Sequence, residues 1–124
     1  MRARTIAIAS IALSLLSSGT AGAGGDRTRG EEIVRQHCAR CHVIDIRNRM
    51  GGIGSTPSFT LLRKRADWRE RFETFHSRRP HPVHVRVEGV RQWTDLPPNA
   101  TPFTITQENV SDILAFVEAL NRPD

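Results

Sequence analysis

The sequence predicts an all-α fold, a single small helical domain over residues 24–124. Two amphipathic segments, one near each end, carry that expectation. A proline-punctuated stretch from Ser77 to Thr104 leaves no room for a third long helix. The chain ahead of the domain reads as an export signal. Arg2 and Arg4 form a positive start, Ile6 to Leu16 is an apolar run, and Ala21-Gly22-Ala23 has the form of a cleavage site. The run is about half of the ~20 residues a membrane span needs, so cleavage after Ala23 is favoured over a retained anchor.

The elements follow in order. Gly24 to Thr28 reads as a mobile leader. A helix is predicted from Arg29 to Cys41, with Ile33, Val34 and His37 at three- and four-residue spacing. Glu31 and Glu32 near its start and Arg40 near its end suit the helix dipole. Asn48 to Pro57 is a loop with Gly51, Gly52 and Gly54; no Lys-Ser/Thr follows it, which argues against a phosphate cradle. Ser58 to Arg65 predicts a short helix with Phe59 and Leu62 inward. Asp67 is placed as N-cap of a helix to His76 that turns Trp68, Phe72 and Phe75 to one side. Between Pro80 and Pro102, Val83, Val85 and Val87 alternate with His84 and Arg86, a short strand-like piece. The last helix is the clearest. Thr106 caps it, Gln107 and Glu108 open it, and Val110, Ile113, Leu114, Val117 and Leu120 form one stripe before Asn121-Arg122-Pro123 ends it.

Charge narrows the partners only mildly. The net charge is +5, with Lys64 the only lysine, and it falls to about +3 without Arg2 and Arg4. Nothing resembles a nucleic-acid module. The small excess suits attraction to an acidic partner.

The chemistry concentrates in Cys38-Ala39-Arg40-Cys41-His42, a C-x-x-C-H run and the attachment signature of c-type haem. Two thiols three positions apart add to the two vinyl groups of one porphyrin, and His42 supplies a proximal nitrogen to the iron. Cys38 and Cys41 are the only cysteines, so a zinc site lacks its other ligands. A thioredoxin-like pair would want a βαβ context that the flanks do not offer. A disulfide across two intervening residues would close a tiny, strained loop. Haem c, held through two thioethers, is the expected cofactor.

With that motif at the end of a first helix, a glycine loop, and the terminal Asp112-Ile113-Leu114-Ala115-Phe116-Val117 segment, the chain resembles a class I cytochrome c from about Arg29 to Leu120. The resemblance implies N- and C-terminal helices crossed around a covalent haem. Gly30 would permit their close approach and Phe116 would pack there. It also implies a proline carbonyl for the second nitrogen of the proximal histidine, and Pro57 is the matching residue.

The chain departs from the family at the distal ligand. Thr101, in Ala100-Thr101-Pro102-Phe103, stands where a methionine is expected, and the mature chain's only methionine is Met50. His81 is the favoured replacement because His81-Pro82 mimics the Met-Pro pattern. His84, His76, Met50 and an open or water-bound position remain as alternatives. Trp93, Arg86 and Arg91 are candidates for contact with a haem propionate, with Trp93 favoured as plain core and His37 as a haem-edge or surface residue.

These residues imply a periplasmic monohaem electron carrier rather than an enzyme, since no Ser-His-Asp grouping or paired-carboxylate pocket is evident. Its partners would be redox proteins: a dehydrogenase, a membrane complex or an oxidase. Nucleic acid and stable membrane insertion after signal cleavage are not expected. His42/His81 ligation implies a lower potential than Met/His ligation. Two other readings stay open. One is an open-site haem protein that binds a diatomic ligand or peroxide. The other is a dedicated haem subunit docked on a larger oxidoreductase through Arg63-Lys64-Arg65.

Overall fold

A computed structural model describes residues 24–120 of the chain. The signal segment and the Asn121-Arg122-Pro123 stop lie outside the described residues. Helix α1 spans Arg27–Ile33 and begins two residues earlier than the sequence suggests, because the Asp26 carboxylate accepts hydrogen bonds from the Thr28 and Arg29 amides. Gly24 to Thr28 is therefore no mere leader: Asp26 caps the helix and Gly25 lies so close to Ser111 that a Cβ would collide with its backbone. With the start moved, Glu31 falls outside the first turn and pairs with Arg35 and Arg47 instead.

The regular helix also ends early. Val34–Cys38 is a π-helical turn, closed by Ala39 N–H donating to Val34 O at 2.9 Å. Such turns are rare and tend to mark functional positions. This one changes the angular step just before the first cysteine.

Helix α2, Phe59–Arg63, is capped by the Ser58 hydroxyl. Helix α3, Trp68–Glu73, starts after Asp67, whose carboxylate does not cap it but pairs with Arg71 and Arg65. Single 3₁₀ turns follow at Phe75–Ser77 and His81–Val83. Helix α4, Gln107–Ala119, opens with a reciprocal box: Thr106 Oγ1 accepts from Asn109 N–H, and Asn109 Oδ1 accepts from Thr106 N–H.

The mostly helical fold agrees with the all-α expectation, and the strand-like piece expected around Val85 and Val87 finds a partner. Strands β1, Val85–Val87, and β2, Phe103–Ile105, form a parallel pair with Val85 opposite Phe103 and Val87 opposite Ile105. Val85, Val87 and Ile105 are buried, and the pairing gives the proline-rich stretch the backbone partners it could not find as helix.

Helices α1 and α4 pack against each other. Gly30 makes this possible, because a Cβ there would collide with the Asp112 carbonyl. Phe116 is buried at this end, alongside Val34, Ile113, Leu114 and Val117, and Ile44, Phe59, Phe72, Val87 and Ile105 complete the core. Trp93, expected in the core, is half exposed beside Arg79. No helix among the described residues is long and apolar enough to cross a membrane.

Candidate haem site

The π turn delivers Cys38 and Cys41 onto one tight bend, with Cys41 N–H and His42 N–H both donating to Cys38 O at 3.0 and 2.8 Å. Both thiols are unbridged and part-buried. Burial pushes the Cys38 thiol up to about 12.

The glycine loop folds back under this bend. Ile53 N–H donates to Cys41 O at 3.0 Å, Asn48 Nδ2 donates to His42 O at 3.0 Å, and Phe59 N–H donates to Val43 O at 2.9 Å. Gly52 has φ +74°, and a Cβ there would sit 3.0 Å from Cys41 O. Glycine is required on both counts. The loop ends by presenting Pro57 O to His42 Nδ1 at 2.7 Å. The Nδ1–H is thereby committed to a carbonyl, and Nε2 keeps its lone pair.

The distal candidates separate sharply. Met50 is 91% exposed, out on the loop surface. His76 lies with Trp93 along a mostly apolar groove beside β1. His81, by contrast, faces His42: the two rings are parallel to within 7° with centroids 6.1 Å apart. His81 Nδ1 lies 3.0 Å from Arg78 O, the same commitment that His42 makes to Pro57. Each ring also meets a phenyl edge, Phe59 at 5.3 Å for His42 and Phe75 at 5.4 Å for His81. Burial holds His42 below the ordinary histidine range and pushes His81 down to about 4, so both are neutral at pH 7. His84 lies 5.8 Å from His81 at the end of the same turn.

Model matching identifies the cytochrome c family over residues 28–121, most of the chain. The chain belongs to the cytochrome c family. Comparison with curated proteins and with solved structures returns no match. The cofactor of this cytochrome is accordingly haem c, covalently held, with Cys38 and Cys41 the two cysteines present for thioethers. Its general role is haem-based electron transfer.

The residues fit such a group. His42 and His81 would be the residues to hold its iron, their rings parallel to within 7° with centroids 6.1 Å apart. Both rings are neutral and both have Nδ1 occupied, as a pair of Nε2 ligands requires.

Several participants escaped the sequence reading. Asn48 holds the backbone just after the motif, and its signal was present as Asp45-x-x-Asn48, a capping spacing. Arg40 donates to Thr101 O at 3.2 Å, while His37 stacks on Phe103 at 4.1 Å. The segment expected to carry the distal methionine is thus fastened to the motif itself. Gln92 donates to Pro82 O at 2.7 Å and accepts from Arg86, whose guanidinium is thereby engaged. Asp112 is buried and accepts from the Asp26 amide at 2.7 Å and from Asn109 at 3.2 Å, tying the start of α1 to α4.

Proposed function

We propose that this cytochrome is an exported, periplasmic carrier of single electrons, with residues 1–23 as its cleaved signal. Cys38 and Cys41 would hold one haem c by thioethers, His42 and His81 would supply nitrogen ligands to its iron, and the packed α1 and α4 would frame the group. The observation that carries the ligation is the pair of parallel imidazoles at 6.1 Å, each with Nδ1 on a main-chain carbonyl.

Two strong-field ligands leave no vacancy for substrate and favour small structural change between oxidation states, which suits electron transfer. The protein's own part is positional. The Pro57 and Arg78 carbonyls fix ring orientation and strengthen each imidazole as a donor. Phe59 and Phe75 pack against the two rings. Partners are redox proteins, and the mild positive charge favours acidic docking faces. Lys64 and Arg65, at the rim of an open cleft of about 550 Å³ with Arg63 and Trp68, offer one basic patch for such contact.

The test is the absorption spectrum and potential of the haem-loaded protein. The wild type should be low-spin in both oxidation states and should not bind carbon monoxide readily. His81→Met should raise the potential by roughly 100 mV or more, since a thioether stabilises the reduced iron relative to imidazole. A high-spin wild type, or a potential indifferent to His81→Met, would overturn the assignment.

A further inference from the structure

The distal turn carries a second histidine that the ligation above does not use. His81–Val83 is one 3₁₀ turn with His84 as its closing residue, and His84 N–H donates to His81 O at 2.9 Å. At three residues per turn, side chains three apart eclipse one another. The two rings accordingly lie on the same side of the chain, with centroids 5.8 Å apart and planes tilted by 58°.

The two rings differ in how they are satisfied. His81 Nδ1 is bonded to Arg78 O, whereas His84 Nδ1 is closed off from solvent without a hydrogen-bond partner among the described residues, although the Asn99 side chain bonds to the ring. A buried imidazole nitrogen without a partner is uncommon, because its desolvation goes uncompensated. A part-buried ring carrying such an atom beside an axial histidine is chemically suited to receive a metal. The backbone permits the exchange. His84 O accepts from Phe103 N–H at 2.9 Å, which holds the C-terminal end of the turn on β2, while the Val83-to-Pro80 bond that closes the turn is long at 3.4 Å.

We propose that His84 is a reserve axial ligand: when His81 leaves the iron, the turn pivots on its β2 anchor and the His84 imidazole takes the vacated position. One iron–nitrogen bond breaks and another forms, with no electron moved. The iron is thereby kept closed to small ligands through fluctuations of the distal turn. This inference rests on the His42/His81 reading.

The experiment uses the haem-loaded full chain and the variants His81→Ala, His84→Ala and the double variant, read by absorption and electron paramagnetic resonance, with added imidazole and carbon monoxide as probes. His84→Ala should match the wild type. His81→Ala should stay low-spin with altered g-values, and should bind imidazole roughly tenfold or more weakly than the double variant, because the competent open state is only a minor fraction. The double variant should be high-spin. His81→Asn, which retains side-chain volume, guards against a collapsed turn and should behave as His81→Ala does.

A high-spin His81→Ala and His81→Asn, with imidazole affinity equal to the double variant, would overturn the reserve role and leave His81 as ligand. A low-spin double variant would overturn it too, pointing to another group. A high-spin wild type, or loss of the low-spin state in His84→Ala alone, would instead bring down the His42/His81 reading along with it.

Discussion

The two imidazoles of this cytochrome are alike in their immediate surroundings and unlike in what stands behind them. Each has Nδ1 near a carbonyl, at 2.7 Å for His42 and 3.0 Å for His81, and each meets one phenyl edge. The carbonyl for His42 comes from Pro57, fifteen residues away, at the end of a loop bonded back to Cys41, His42 and Val43. The carbonyl for His81 comes from Arg78, three residues earlier in the same short run. The His42 ring is therefore oriented by a braced tertiary loop, and the His81 ring by a carbonyl of its own short turn. The first cannot shift without dismantling the loop, whereas the second needs only local rearrangement.

The largest effect should come from breaking the proximal brace. Gly52→Val puts a β-branched side chain at φ +74° and within 3.0 Å of Cys41 O. Strain and displacement together should cost about 3 kcal/mol. Denaturant unfolding of the haem-loaded protein would show it as a lowered midpoint, with poorer haem incorporation during expression. A variant as stable as the wild type would mean that the loop is not the brace described above.

A smaller and different effect is expected on the distal side. Gln92 ties Pro82 O to Arg86, and Gln92→Ala removes that tether without opening the core. Stability should fall by about 1 kcal/mol, the ordinary worth of a hydrogen bond. The rate at which external imidazole enters the distal site should rise severalfold. A loss of stability as large as that of Gly52→Val, with ligand entry unchanged, would erase the distinction between the two sides.

This asymmetry also explains what could be read from the residues in order. The proximal side was legible because its chemistry is contiguous: Cys38, Cys41 and His42 are neighbours, and Gly30, Pro57 and Phe116 sit at positions the family resemblance marks. The terminal helix was legible because its stripe and its Thr106 cap are local signals. The distal side was not, because it is assembled from short turns and a parallel strand pair whose partners, Val85 and Phe103, are far apart in sequence. Nothing near Thr101 announces that Arg40 will bind its carbonyl. Nor does Asp112, within an otherwise apolar helix face, reveal that it will be buried under the Asp26 amide. The π turn was hidden for a related reason, since Ile33 to His37 has ordinary helical periodicity and only the hydrogen bonding departs from it.

Acid should loosen the proximal side by a route of its own. Hydrogen bonds from Arg35 and Arg47 hold the Glu31 carboxyl below its usual range. Burial alone would raise the Asp45 carboxyl, but the bonds from Arg47 and Arg35 outweigh it and leave it lowered too. A depressed carboxyl contributes stability that is fully present above its unfolded value, about 4, and is lost as pH falls through the folded value. Asp45 also caps the turn that carries Asn48, so the network bears on the residue holding His42 O. Asp45→Asn should flatten the decline of stability below about pH 4, with a slightly lower plateau at neutral pH and an unchanged rate of imidazole entry at the distal turn. Thermal melts of the haem-loaded protein across that range would measure it. An acid limb as steep as the wild type's would show that this carboxylate network does not brace the proximal side, and that the loop's hydrogen bonds to the motif suffice alone.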